Sequence, residues 1–340
     1  MRSAIETHEL TKRFRKLRTY RDALAYPWRR PTLLAIDAVS LTIRRGEVFG
    51  VLGENGAGKT TLIRMLTTSL LPSSGTAAVG GYDVVREAGK VRSVIGLVGS
   101  DERSFFGELT GRQNLEFFAA LQGLPPSTAR GRIDPLLHRV GVAAAAERPF
   151  RTLSSGTRQK LAIVRGLLTD PEIVFLDEPT RSLDPISARS VRRLVSEFLV
   201  GELGRTVVLA THSLGEAEEL CDRLALVRAG RVVAEGTVDE LRSRLGHGLR
   251  CDLRVADMPP DLPDVLRRLP GVMAIEVGQN GGHSALGLVL EDDRSVLALV
   301  LRETIERGGE VVGCATREPT LEDVYVATLS EPSALEAAPC

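Results

Sequence analysis

The nine residues GENGAGKTT, at 53–61, lie between an apolar run, VFGVL, and a helical pattern, TLIRMLTTSL. The spacing GxxxxGK[ST] in that setting admits few backbones. The glycines turn successive N–H groups inward, the following helix aims its N-terminus at the same point, and both features favour an anion there. Lys59 adds a point charge for outer phosphates, and Thr60 adds a hydroxyl suited to Mg²⁺. Gly53, Glu54, Asn55, Gly56, Ala57, Gly58, Lys59, Thr60 and Thr61 are therefore the expected cradle of a nucleoside triphosphate. A strand, a glycine loop and a helix in that order point to a layered α/β fold.

Two further apolar runs end in residues that phosphoryl transfer needs. IVFLDEP, at 173–179, has the pattern of a central parallel strand delivering its acids at the carboxyl edge of the sheet. Asp177 is expected to hold Mg²⁺ through its water shell, and Glu178, turned the other way, to polarise the attacking water. TVVLATHS, at 206–213, ends in His212, which is placed to hydrogen-bond the terminal phosphate. A different anion-facing surface is offered by LSSGTRQK, at 153–160. Its small hydroxyl and glycine residues open a helix carrying Leu161, Val164 and Leu168 on one face.

Over residues 1–245 short apolar runs alternate with helical patterns, which predicts a mostly parallel sheet wrapped by helices. From 246 to 330 the pattern becomes strand, helix, strand, strand, helix, strand, a ferredoxin-like order, closed by a helix at TLEDVYVATL. The GHG stretch at 246–248 is the expected hinge, and 331–340 a loose tail. Lys+Arg and Asp+Glu both number 44, so net charge gives no bulk attraction to nucleic acid or to an anionic membrane. No run approaches the roughly 18 consecutive apolar residues of a membrane span, and the N-terminus lacks a signal-peptide core. The chain is therefore expected to stay in the cytoplasm. Cys221, Cys251, Cys314 and Cys340 are scattered without a CxxC pair, which supports neither a disulfide framework nor a zinc site. Cys221 and Cys314 have the apolar neighbours of buried thiols.

With these elements in this order, residues 5–240 resemble the nucleotide-binding subunit of an ATP-binding cassette (ABC) transporter, a P-loop NTPase with a helical signature subdomain. The resemblance implies binding and hydrolysis of ATP with Mg²⁺. It makes Glu178, His212 and Lys59 catalytic, Ser182 to Asp184 the D-loop with Asp184 near nucleotide, and His212 the switch histidine. LSSGT stands where the family usually has LSGGQ, with Ser155 in place of glycine and Thr157 in place of glutamine. Ser154, Ser155, Gly156 and Thr157 of one subunit are then implied to face the nucleotide held by the other, in a homodimer or a pair with a similar ATPase subunit. The family's glutamine after the strand is missing from IGLVGSDERSFFGELTGRQNL, at 95–115. Ser100, Asp101 or Glu102 stands in its place, with Asp101 taken as the Mg²⁺ candidate and water completing the shell as the alternative. Phe14 matches the family's adenine-stacking aromatic, core packing being the competing reading. The basic and aromatic insertion at 15–31, with Tyr20, Tyr26 and Trp28, would lie against lipid headgroups or a partner's helix, or be a solvated hairpin.

REPTLEDVYVATL, at 317–329, resembles the ending of daunorubicin-resistance-type exporter ATPases, which implies export of a drug, antibiotic or lipid-like substrate. In that family the subunit sits at the cytoplasmic face of the membrane through an integral permease, here expected to dock near Ser100 to Gly107 with Phe105 and Phe106 as apolar contacts. The alternative is a soluble ABC ATPase acting on translation or DNA. Such proteins usually carry two cassettes or a long coiled coil, and this chain has one GKT, one LDE and no heptad array. RNA binding by the C-terminal sheet lacks its stacking aromatics, because Tyr325 is the only aromatic there. A dimer-stabilising role through Val296, Leu299, Leu301 and Ile305 competes with simple core packing by the same residues.

Overall fold

The run IVFL at 173–176 has no polar residue to spare for solvent, so it must be covered on both faces. The computed structural model, which describes residues 3–15, 32–99, 104–243, 248–280, 283–291, 294–317 and 320–330, places it inside a six-stranded sheet, paired on both sides. That sheet comprises β4 (Val48–Leu52), β7 (Ile95–Gly99), β8 (Ile173–Asp177), β9 (Thr206–Thr211), β10 (Arg223–Arg228) and β11 (Arg231–Gly236). Their spatial order is β11-β10-β4-β9-β8-β7, parallel from β10 to β7, with β11 antiparallel at the edge.

Alternate residues of the central strands feed two separate cores. Val48, Val98, Val174, Leu176, Val207 and Leu209 point into one, with the helices α3 (Gly111–Leu121), α4 (Pro126–Arg139) and α5 (Ser155–Leu167). Phe49, Val51, Ile173, Phe175, Val208 and Ala210 point into the other. There they meet α1 (Lys59–Leu66) and an antiparallel sheet that the sequence pattern did not single out. This second sheet contains β1 (Ser3–Arg15), β2 (Thr32–Val39), β3 (Thr42–Arg44), β5 (Ser74–Val79) and β6 (Tyr82–Asp83).

The helical layer is anchored to the sheet edge by two glycines. A Cβ on Gly96 of β7 would lie 2.2 Å from the Gly166 carbonyl oxygen in α5, and one on Gly166 would lie 2.7 Å from Val98 Cγ2. Helix α5 therefore crosses β7 with the two backbones nearly touching. The helix α6 (Pro185–Arg193) continues as a wider π-helix through Leu194–Glu202, and α7 (Leu214–Leu220) follows β9.

The chain divides into two units at Thr237 and Val238, ahead of the expected hinge. The short helix α8 (Val238–Ser243) belongs with the second unit because it packs on the last helix. That unit is β12 (Gly248–Ala256), α9 (Leu262–Leu266), β13 (Val272–Asn280), β14 (His283–Glu291), α10 (Arg294–Glu306), β15 (Glu310–Arg317) and α11 (Leu321–Ser330). The strands pair antiparallel in the order β13-β14-β12-β15, the ferredoxin-like arrangement. Val296 and Val300 of α10 are buried in its core, whereas Ile305 is exposed, so the packed face is offset from the one read from the sequence.

Gly96→Ala should destabilise the first unit by about 1–3 kcal/mol, since the opposing group is main chain that cannot swing away. Gly89→Ala, in the short helix α2 (Ala88–Val94) with nothing within 4 Å, should be neutral or slightly stabilising. Denaturant midpoints of the two variants would check this.

Candidate functional site

Parallel pairing sets Leu52 of β4 opposite Thr211 of β9, and Ala210 of β9 opposite Asp177 of β8. Three strands thus end at one level of the sheet. The loop after β4 curls into α1 through Gly58, whose φ of 111° is open only to glycine at low cost. A side chain at Gly58 would also meet the Ala35 carbonyl oxygen at 2.5 Å. Among the described residues, the N–H groups of Asn55, Gly56, Gly58, Lys59, Thr60 and Thr61 have no protein acceptor. Such a row of inward N–H groups at a helix N-terminus matches the oxygens of a polyphosphate.

Lys59 is buried and gathers the loop around its ammonium group. Its Nζ donates to the carbonyls of Gly53 at 2.7 Å and Glu54 at 3.1 Å, and lies 3.3 Å from Glu178 Oε1. With side chains only 5 % and 8 % exposed, this ion pair leaves neither charge alone in the interior. The other Glu178 oxygen is in a short hydrogen bond with His212 Nδ1. Glu178 occupies the left-handed region, with φ 54°, and its N–H donates to the Ala210 carbonyl at 2.9 Å. An uncommon backbone conformation in a buried acid is held where the surrounding ladder fixes it.

Asp177 turns the other way and accepts from Thr60 Oγ1 at 3.2 Å. Burial pushes its carboxyl above the usual range; the Thr60 hydrogen bond opposes this rise, and the Glu178 charge adds to it. A hydroxyl and a desolvated carboxylate form an oxygen-only pair of the kind Mg²⁺ takes, and a cation there would relieve the desolvation. The residues therefore fit the metal.

The sequence reading missed Glu216. Its buried carboxylate accepts from Thr211 Oγ1 at 2.6 Å and Thr180 Oγ1 at 3.0 Å. Thr211 precedes His212 and Thr180 follows Glu178 by two residues, so this carboxylate ties together the loops that carry both groups. Burial raises its carboxyl above the usual range against the pull of the two hydroxyls. The sequence signal was a carboxylate on the first turn of α7 behind an N-cap, Ser213, which by itself reads as a helix start.

The serine-glycine corner lies in a different set of contacts. Ser154 caps α5, accepting from Thr157 N at 3.3 Å, and the two hydroxyls are 3.0 Å apart. Gly156 is buried, and a Cβ there would meet Ser187 Oγ of α6 at 2.5 Å. Asp184 caps α6, accepting from the N–H groups of Ile186 and Ser187, each at 3.0 Å; bonds with Ser187 hold its carboxyl below the usual range. Among the described residues, no hydrogen bond or ion pair joins Ser154, Ser155, Gly156 or Thr157 to the phosphate loop.

Phe14 is 37 % exposed at the β1–β2 hairpin, with Lys12 Nζ 5.2 Å from its ring centroid, so it is not a core residue. Phe105 is buried, stacked on Phe150 at 4.5 Å, which removes it as a docking contact; Phe106 is exposed against Phe117. Cys314 is exposed rather than buried. Asp101, with Ser100 and Glu102, lies outside the described residues, as do 16–31 of the insertion.

A phosphate loop, two carboxylates and a histidine converging on one sheet edge define a nucleoside triphosphatase of the P-loop kind. The family model described as "ABC transporter" matches residues 36–181. The chain is 42 % identical over 307 residues to the daunorubicin resistance ATP-binding protein DrrA3 of Streptomyces coeruleorubidus, covering 86 % of this chain and 90 % of that one. It is 37 % identical to the doxorubicin resistance ATP-binding protein DrrA of Mycobacterium tuberculosis, covering 88 % and 90 %. CbiO1 of Clostridium perfringens, part of the ABC transporter complex cbiONQ, superposes with a TM-score of 0.60 at 28 % identity over 79 % of this chain and 96 % of that one. An ATP-binding cassette, MJ0796, solved as a dimer after hydrolysis with ADP and Pi, shares the fold, with a TM-score of 0.58 at 23 % identity over 68 % and 98 %. The chain belongs to the ABC transporter family and is an ATP-hydrolysing ATP-binding protein of the drug-resistance exporter type.

Glu216→Ala should lower stability by about 1–3 kcal/mol, because two buried hydroxyls lose their acceptor. Because the folded Glu216 pKa lies above its unfolded value, folding takes up protons between the two. The stabilisation by this group is therefore greatest on the acid side and falls as pH rises through the shifted range. Glu216→Gln should flatten that slope in chemical unfolding measured across pH.

Proposed function

We propose that the chain works as one of a pair of ATPase subunits that close on two ATP molecules and drive a separate membrane permease in export. The observation that carries this reading is the division of the chemistry. Lys59, Thr60, Asp177, Glu178 and His212 meet at one sheet edge, whereas the Ser154–Gly156 corner makes no bond to that edge among the described residues. A two-fold pair would let each corner complete the other's phosphate site, with Ser154, Ser155, Gly156 and Thr157 across from the cradle and Asp184 beside it. The dimeric cassette of the same fold supports the pairing.

In this reading Gly53 to Thr61 cradle the phosphates, and Lys59 leaves the loop carbonyls for the outer phosphates. Phe14, exposed at its hairpin, stacks on the adenine. Thr60 and Asp177 hold Mg²⁺, which supplies charge neutralisation on the phosphate oxygens. Glu178 orients water for attack on the γ-phosphorus, and His212, already bonded to Glu178, contacts the oxygens on which charge develops.

No helix among the described residues is long and apolar enough to cross a membrane, so transport calls for a permease partner. Phe106, Phe117 and Leu121, exposed by 49 %, 42 % and 72 %, are the apolar surface on which a permease helix would dock, holding the subunit at the membrane. The similar daunorubicin and doxorubicin resistance proteins support a drug or antibiotic as cargo.

Glu178→Gln should retain ATP binding, lose about 100-fold or more of turnover, and accumulate as a dimer with ATP on size-exclusion chromatography. Lys59→Ala should weaken nucleotide affinity at least tenfold in a titration. Mixing Lys59→Ala with a Ser154→Ala, Gly156→Asp variant should restore hydrolysis through the one intact composite site. No recovery, together with full-rate turnover by dilute monomers, would refute the paired reading.

A further inference from the structure

The second unit contains a pair of sulfur atoms that the ATPase does not use. Cys251 of β12 is fully buried, and Cys314 of the neighbouring β15 is exposed; their Sγ atoms lie 3.5 Å apart. Register explains the approach. Cys251 pairs with Thr316 and Cys314 with Leu253, so the two cysteines are diagonal neighbours on one face of the sheet. Sixty-three residues separate them in sequence, which is why spacing alone did not reveal the pair.

We infer that Cys251 and Cys314 form an oxidation site that a hydroperoxide converts to an interstrand disulfide. An oxidant reaches the exposed Cys314 first. Its sulfur attacks a peroxide oxygen, the O–O bond breaks, and the departing hydroxide takes the thiol proton as water, leaving a sulfenic acid; peroxide is reduced and sulfur oxidised. Cys251 sulfur then attacks Cys314 sulfur. The S–S bond forms, the S–O bond breaks, and hydroxide leaves as a second water with the Cys251 proton. Burial, with the Cys314 contact adding to it, pushes the Cys251 thiol up to about 12, so this sulfur waits as a thiol rather than starting the reaction.

Closing from 3.5 Å to a bond of about 2 Å requires the strands to give. The fold allows it. Among the described residues β15 is an edge strand that pairs with β12 alone, and their pairing has a register shift at Arg254/Val255, beside the Cys314 partner Leu253. β15 also leads into α11, whose Asp323 bonds Arg317 at 2.7 Å and Arg250 at 3.0 Å, both on the stapled strands. The disulfide would therefore pin the strand from which the last helix is held.

The test uses the full chain carrying Cys340→Ser, which removes the tail thiol, treated with hydrogen peroxide and digested with trypsin without reductant. A linked pair of peptides 251–254 and 308–317, released by dithiothreitol, is expected. Two alkylatable thiols should be lost, and amide hydrogen exchange in β15 should slow. In Cys251→Ala the sulfenic acid on Cys314 should instead persist and be trapped by dimedone. Oxidation of Cys314 to sulfinic acid with Cys251 still alkylatable and no linked peptide would overturn the inference, as would linkage found only between separate chains.

Discussion

The parallel register of β4, β9 and β8 is the constraint on which the rest depends. Leu52 is level with Thr211, and Ala210 with Asp177, so one hydrogen-bonded ladder fixes the heights of the glycine loop after β4, of His212 and of the two acids. A slip of one residue in any pairing would turn every side chain of that strand to the opposite core. Val174 and Leu176 belong to one core and Ile173 and Phe175 to the other, so such a slip is strongly opposed. The position of the chemistry thus follows from packing on both faces of the sheet.

Charge sets the second layer of control. Asp177 and Glu178 lie beside Lys59, and Glu216 lies near Glu178, so three desolvated carboxylates cluster where each needs a partner. Glu178 has Lys59 and His212, Asp177 has Thr60, and Glu216 has two threonine hydroxyls. Each charge of this cluster is therefore already partnered within the chain, and an incoming phosphate would have to take Lys59 from the carbonyls it now binds.

Much of this was legible in the sequence because the decisive residues occur in contiguous runs. GENGAGKTT, IVFLDEP and TVVLATHS each contain both the strand and the group it delivers, and the C-terminal strand-helix order could be read from periodicity alone. What escaped were relations between distant segments. Glu216 gains meaning only once β8 and β9 are adjacent, and the Cys251–Cys314 approach only once β12 and β15 pair. Phe105 and Phe106 are adjacent and chemically identical, so only tertiary structure tells the stacked one from the exposed one. The antiparallel sheet was missed because β1 and β2 break the inside-outside alternation: Phe14, Leu33 and Leu34 are apolar yet exposed, while Thr7 and Thr11 are polar yet buried.

The backbone contact between Gly96 and Gly166 has a mechanical consequence. Side chains between a helix and a sheet act as a compliant layer that absorbs small displacements by changing rotamers. At this crossing the layer is thinned to a few side chains such as Val98, so the rim of the sheet and the helix behind Ser154 are coupled more stiffly than at an ordinary helix–sheet contact. A push delivered near the end of β7 would reach the serine-glycine corner almost without slack, and any slack designed in would have to come from the loops at either end.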